Sequence, residues 1–142
     1  MTTITSQSVR QTREFAASLA REARPGDVFA LQGDLGAGKT EFVRGFVFAR
    51  APEAAVRSPS FSIVNTYEAA DFPIFHFDFY RLGSYDELTE IGFEDYLAAS
   101  GVCIVEWADL LPDALPAATK WIHFVDEGGE VRRIEMRDLL VF

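Results

Sequence analysis

The sequence predicts an α/β fold: a mostly parallel sheet flanked by helices, with antiparallel strands or hairpins added at its edge. Three observations predict it. Val28-Phe29-Ala30-Leu31-Gln32 and Val102-Cys103-Ile104-Val105-Glu106 are short, almost wholly apolar runs, the pattern of strands buried on both faces by covering helices. Helix-like runs alternate with strand-like ones, as in a parallel sheet. Near the end, two strand-like runs flank Glu127-Gly128-Gly129-Glu130, a turn composition that joins antiparallel strands.

The elements follow in order. A first helix is expected over about Ser8 to Glu22, because Ser8-Val9-Arg10-Gln11 has capping-box spacing and Phe15, Ala16, Leu19 and Ala20 make one apolar stripe. Arg24-Pro25-Gly26-Asp27 is a turn, and Val28 to Gln32 a buried strand. A second helix runs from about Lys39 to Arg50 and stops near Pro52. Ser62 to Tyr67 and Phe72 to Asp78 read as strands joined around Ala69-Ala70-Asp71. Tyr85 to Glu90 and Phe93 to Ala99 read as helices, the second ended by Gly101. Val102 to Glu106 is another buried strand, and Trp121 to Val125 with Val131 to Met136 form the hairpin.

Composition bounds the function. The 142 residues predict one domain, 1–142, large enough for a sizeable core. Cys103, the single cysteine, reads as a small buried hydrophobe in a reducing compartment. The absence of a signal-like start and of an ~18-residue apolar run predicts a cytoplasmic protein without membrane contact. The formal net charge is −9, but residues 1–57 carry 8 Lys+Arg against 6 Asp+Glu, whereas residues 58–142 carry 5 against 16. Direct nucleic-acid binding is not expected of such a chain, since phosphate neutralisation needs clustered cations. The acidic stretch Asp86 to Asp95 is a solvated face or a docking surface for a basic partner.

The strongest signal is Gly33-Asp34-Leu35-Gly36-Ala37-Gly38-Lys39-Thr40, which matches G-x-x-x-x-G-K-[ST] at every fixed position. Chance alone produces this in roughly one chain in two hundred of this length. It also lies between a buried strand and a helix, the context the chemistry requires. Glycines let backbone N–H groups converge on a phosphate, and the helix N-terminus adds a favourable dipole. Lys39 is expected to reach the β- and γ-phosphates, and the Thr40 hydroxyl to ligate Mg²⁺. The fold expected is therefore P-loop NTPase-like.

Mg²⁺ keeps most of its octahedron as water and takes one or two protein oxygens. Two apolar strands end in an acid, at Asp78 and at Glu106, and ligands of open α/β sheets gather at such strand ends. Glu106 is the first choice for the metal, and Asp78 the candidate for orienting the attacking water. The alternative for either acid is a loop cap or an ion pair with Arg81. His76 is expected to be a buried, hydrogen-bonded histidine beside the site, and His123 structural; no Cys/His cluster suggests a structural metal. No Asn-Lys-x-Asp stretch reads guanine, which leaves ATP as the nucleotide. Three readings stay open on the residues alone: an ATPase, a nucleotide-gated assembly module that does not hydrolyse, and a small-metabolite kinase.

Four motifs together resemble the TsaE family of bacterial tRNA threonylcarbamoyladenosine biosynthesis ATPases. They are the Gly33–Thr40 loop, Ser58-Pro59-Ser60-Phe61, His76-Phe77-Asp78-Phe79-Tyr80-Arg81-Leu82 and Val105-Glu106-Trp107. The family usually has Thr at the position of Ser60 and Pro at that of Ala108; serine keeps the hydroxyl. The resemblance implies an ATPase that drives or resets a TsaB–TsaD complex. That complex transfers threonylcarbamoyl to adenosine 37 of tRNAs reading codons that begin with A, so tRNA is engaged only indirectly. By position, the resemblance gives residues 33–40 to ATP and Thr40 with Glu106 to Mg²⁺. It gives Asp78 a part in hydrolysis, Ser60 to a nucleotide-sensing loop, and Trp107 a place beside the metal ligand.

Overall fold

A computed structural model describes residues 2–59 and 61–138. Seven strands form one mixed sheet: β1 (Thr2–Ser6), β2 (Val28–Gly33), β3 (Val64–Tyr67), β4 (Ile74–Asp78), β5 (Val102–Glu106), β6 (Lys120–Gly128) and β7 (Val131–Asp138). Their spatial order is β1-β7-β6-β2-β5-β4-β3. The centre, β6-β2-β5-β4, is parallel, while β3 on one side and β7 with β1 on the other add antiparallel edges. The helices are α1 (Val9–Glu22), α2 (Lys39–Arg50), α3 (Tyr85–Glu90) and α4 (Phe93–Ala98).

Alternation across the strands sorts side chains into two cores. Phe29, Leu31, Ile74, Ile104 and Ile122 meet Ala16, Ala20, Phe42 and Phe46 of α1 and α2. On the other face, Ala30, Phe77, Cys103 and Val105 pack with Leu88 of α3 and Phe93 of α4. Helices thus cover both faces, which is why the central strands carry no polar alternation. No helix among the described residues is long and apolar enough to cross a membrane.

Most expected elements form at or within two residues of their expected ends. Ser8 caps α1 by accepting from Gln11 N, but the Gln11 side chain reaches back to Gln7 N rather than to the cap residue. β3 begins at Val64 because Ile63 has φ 71, outside the strand region. β4 begins at Ile74, after Pro73, which cannot donate to a ladder. Strand β6 runs three residues further toward the turn than expected, with an irregular register between Asp126 and Gly128, while β7 begins at Val131 as expected and continues to Asp138. Strand β1 was not expected. Its sequence Thr-Thr-Ile-Thr-Ser has little apolar pattern, and what makes it a strand is its pairing with β7, Ile4 opposite Ile134.

Candidate functional site

Three parallel strands deliver the expected residues to one place. β2 runs into the glycine-rich loop and α2, β4 ends at Asp78, and β5 ends at Glu106. Register fixes their height: Leu31 lies opposite Glu106, and Asp78 lies opposite Glu106. Both acids therefore sit at the carboxyl edge of the sheet, beside the start of α2.

The loop needs its glycines. At Gly33 a Cβ would lie 2.6 Å from the Phe124 carbonyl oxygen, so the chain passes β6 only without a side chain. Gly38 precedes α2 at φ 109, left-handed backbone that costs glycine least. Between them Ala37 is buried while Leu35 stands 89% exposed.

Lys39 is only 4% exposed. Its Nζ donates to the carbonyls of Gly33 (2.5 Å) and Asp34 (2.9 Å) and lies 4.2 Å from the centre of the Trp107 ring. Burial pushes its ammonium below the usual lysine range, and the charge of Glu106 is the first of several carboxylates that oppose this. Trp107 reaches this position through a left-handed backbone, φ 56, directly after β5, and the Tyr80 ring packs against it in a tilted arrangement, centroids 5.1 Å apart. A bulky residue held there is backbone strain of the kind found at functional sites.

The Thr40 hydroxyl donates to Glu106 Oε1 at 3.2 Å. The other carboxylate oxygen, Oε2, lies 2.6 Å from His76 Nε2, and His76 Nδ1 lies 3.3 Å from the Tyr67 hydroxyl. His76 is fully buried and Glu106 4% exposed, so each polar atom here requires its partner. Asp78 accepts from Tyr80 N, capping a single 3-10 turn at Phe79–Arg81, and still faces the cavity. Burial pushes its carboxyl above the usual range, with the nearby Glu106 charge adding to the effect. Arg81 pairs with neither acid; its guanidinium lies 4.6 Å from the Phe61 ring.

Lys39, Thr40, Asp78, Glu106 and Trp107 line one cleft of about 410 Å³, together with Val9 and Thr12 of α1 and with Glu130 and Arg132 of the hairpin, which sequence reading did not single out. Arg132 donates to the Gly36 carbonyl and pairs with Asp126, so its guanidinium is already committed to holding the loop. Nothing in local spacing points to these four residues; the β1–β7 and β6–β7 pairings bring them in. Ser60, expected in a nucleotide-sensing loop, lies outside the described residues, whereas its neighbour Ser58 lines the cleft. His123 lies on β6 beside Glu135 of β7, away from the cleft.

The arrangement offers converging backbone N–H groups at a helix start, one buried ammonium, and a hydroxyl and carboxylate side by side. That combination suits a phosphorylated, metal-bound ligand. A family model described as Threonylcarbamoyl adenosine biosynthesis protein TsaE matches residues 6–134. A Bacillus subtilis protein named tRNA threonylcarbamoyladenosine biosynthesis protein TsaE is 40% identical over 87% of this chain and 77% of its own length. A Rickettsia conorii protein of the same name is 38% identical over 78% of this chain; the match spans 63% of that relative, a little under two thirds. The crystal structure of Bacillus subtilis YdiB superposes with a TM-score of 0.82 at 32% identity, covering 97% of this chain and 85% of that one.

Proposed function

Because the chain belongs to the TsaE family, whose proteins act in threonylcarbamoyladenosine biosynthesis, we propose that it binds Mg-ATP in this cleft and hydrolyses it slowly. On this reading it drives or resets the TsaB–TsaD transferase complex and does not itself modify tRNA. The observation that carries the reading is the contact between Thr40 Oγ1 and Glu106 Oε1. Neighbouring oxygens on an octahedral Mg²⁺ with ~2.1 Å bonds lie about 3 Å apart, and these two are 3.2 Å apart before any rearrangement.

The chain's own groups then have distinct tasks. Backbone N–H groups of residues 34–38 and Lys39 hold the β- and γ-phosphates, Lys39 exchanging the Gly33 and Asp34 carbonyls for phosphate oxygens. Thr40 and Glu106 hold Mg²⁺, which when bound neutralises phosphate charge as the terminal phosphoryl group departs. His76 holds Glu106 in place. Asp78 orients the water that attacks the γ-phosphorus, and ADP and phosphate leave. Val9, Thr12 and the hairpin residues Glu130 and Arg132 complete the lining of the cleft, and with the other groups engaged by phosphate and metal they are the ones left to meet the nucleoside. Phosphoryl transfer relies on positioning and charge stabilisation rather than on a strong base. Arg132 is tied to the loop, so no arginine lining the cleft among the described residues stands ready to stabilise the transition state. Slow turnover without a partner follows.

Mg²⁺-dependent ATP hydrolysis by the purified chain, alone and with TsaB–TsaD, tests this. Weak turnover stimulated by the pair is expected. Tight ATP binding without turnover in either condition would replace the ATPase with the assembly module, and γ-phosphate transfer to a small metabolite would favour the kinase.

A further inference from the structure

The tip of the β6–β7 hairpin touches the glycine-rich loop through one side chain. Arg132 Nη2 donates to the Gly36 carbonyl at 3.1 Å. Nη1 serves the hairpin itself: the Gly129 carbonyl at 2.7 Å, the Val131 carbonyl at 3.0 Å and Asp126 Oδ1 at 3.2 Å. Asp126 stands opposite Arg132 across the two strands, beside the irregular register, and its Oδ1 also accepts from Gly128 N at 2.8 Å. Glu130 of the same tip accepts from Val9 N at 3.4 Å, which holds the hairpin against α1 as well. We propose that Arg132, aimed by Asp126, is a positioning residue that keeps the Gly36 carbonyl out of the phosphate cradle, so that this peptide turns its N–H and not its oxygen toward the terminal phosphates.

The loop does not settle that orientation by itself. Gly36 has φ 80, and a Cβ built there would meet nothing within 4 Å. A glycine in open space lets the peptide that follows it rotate at little steric cost. Leu35, beside it, is exposed and anchors nothing. A trans peptide places its C=O and N–H on opposite sides. With Gly36 O held toward the hairpin, Ala37 N–H faces the inside of the loop, where Asp34 O accepts it at 3.0 Å. A phosphate oxygen entering there meets a donor. Were the peptide rotated, it would meet a carbonyl oxygen, and two acceptors repel.

What Arg132 supplies is direction more than charge. Its charge is already opposed by Asp126, a half-exposed carboxylate, and such a pair adds little stability of its own. The planar guanidinium can serve acceptors on two sides at fixed angles, here the hairpin through one nitrogen and the loop through the other.

The inference rests on the Mg-nucleotide reading, and calorimetry with Mg·ADP tells their failures apart. Arg132→Ala is expected to bind about tenfold more weakly than wild type, or worse. Arg132→Lys should recover little of the loss, because a point charge cannot serve both sides. Asp126→Ala discriminates between the two ways Arg132 could act. If the guanidinium worked by charge alone, removing the opposing carboxylate would tighten anion binding; aiming predicts the reverse, a loss of about threefold or more. Asp126→Asn removes the same charge but keeps an oxygen for Arg132 and Gly128 N, and is expected to return binding to within about twofold of wild type. Urea unfolding of each variant shows that folded protein is being titrated, and should Arg132→Ala fail to fold, the two Asp126 variants carry the same readout. Wild-type affinity in both alanine variants, tighter binding by Asp126→Ala, or Asp126→Asn as weak as Asp126→Ala would each overturn the positioning role while the Mg-nucleotide reading stood. No Mg·ADP binding by wild type would remove both.

Discussion

Asp78 illustrates how a single residue can serve the site at the expense of the fold. Asp78 is 6% exposed, and its carboxyl is held above the usual carboxylate range by burial, then by the neighbouring Glu106. A carboxyl that binds its proton more tightly folded than unfolded makes stability fall as pH rises, from its unfolded value near ~3.9 up through its higher folded value. Above that window the buried charge is a standing cost. Asp78→Asn removes the charge and keeps an oxygen to accept from Tyr80 N. Urea unfolding at neutral pH is therefore expected to show a gain of about 1 kcal/mol, shrinking toward zero as pH falls below 4. ATP turnover should drop by roughly 10²-fold or more. Equal or lower stability at neutral pH would mean that the charge is better compensated than its surroundings indicate. Cys103 needs no such test: burial pushes its thiol up to about 12, and it behaves as the inert apolar residue its neighbours suggested.

At the scale of elements, the crossing of α1 and α2 sets the width of the cleft, because α1 supplies Val9 and Thr12 and α2 supplies Lys39 and Thr40. Gly45 is the contact point. A Cβ there would run into the Arg13 backbone, carbonyl oxygen included. Helix propensity favours alanine over glycine by up to ~1 kcal/mol, whereas forcing two helix backbones apart costs about 1–3 kcal/mol. Packing should win. Gly45→Ala is expected to lower stability by ~1–2 kcal/mol and to weaken Mg·ATP binding through the displaced α1, both readable by urea titration and calorimetry. A stabilised Gly45→Ala would show that α1 can slide without consequence. The glycine's role was invisible beforehand, since an isolated glycine in a helical run carries no sign of what it faces.

Over the whole molecule, charge is divided between the two helical layers. α1 and α2 carry Arg10, Arg13, Arg21, Lys39, Arg44 and Arg50 against Glu14, Glu22 and Glu41, while α3 and α4 carry Asp86, Glu87, Glu90, Glu94 and Asp95 and no cation. These acids are exposed, and only Leu88 and Phe93 of that stretch turn fully into the core. Glu87 is not simply a surface charge: its Oε2 accepts from Gly83 N at 2.6 Å ahead of α3. Reversing it would disturb the helix start as well as the field, so Glu90→Lys with Glu94→Lys is the cleaner probe. If this layer docks a basic partner, the pair should weaken TsaB–TsaD binding by about tenfold or more at low salt, and less as salt rises. Affinity unchanged at every salt concentration would assign the acidity to solubility alone.

What the sequence determined by itself is local and chemical. The glycine-rich loop, Lys39, Thr40 and the two strand-end acids were legible because each depends on neighbours within a few positions, and a buried parallel strand declares itself by unbroken apolarity. The α/β fold followed from the same alternation. Tertiary structure decided what depends on partners far along the chain. β1 is a strand because β7 lies beside it. Arg132 and Glu130 reach the cleft because a hairpin places them there, Arg132 against the Gly36 carbonyl 96 residues earlier and Glu130 against Val9 N. The contacts joining Thr40 to Glu106 and Glu106 through His76 to Tyr67 exist because parallel register puts Asp78 level with Glu106 and His76 level with Ile104. Local propensity sets which segments become strands, but only the pairing of those strands brings groups of high sequence separation within hydrogen-bond distance.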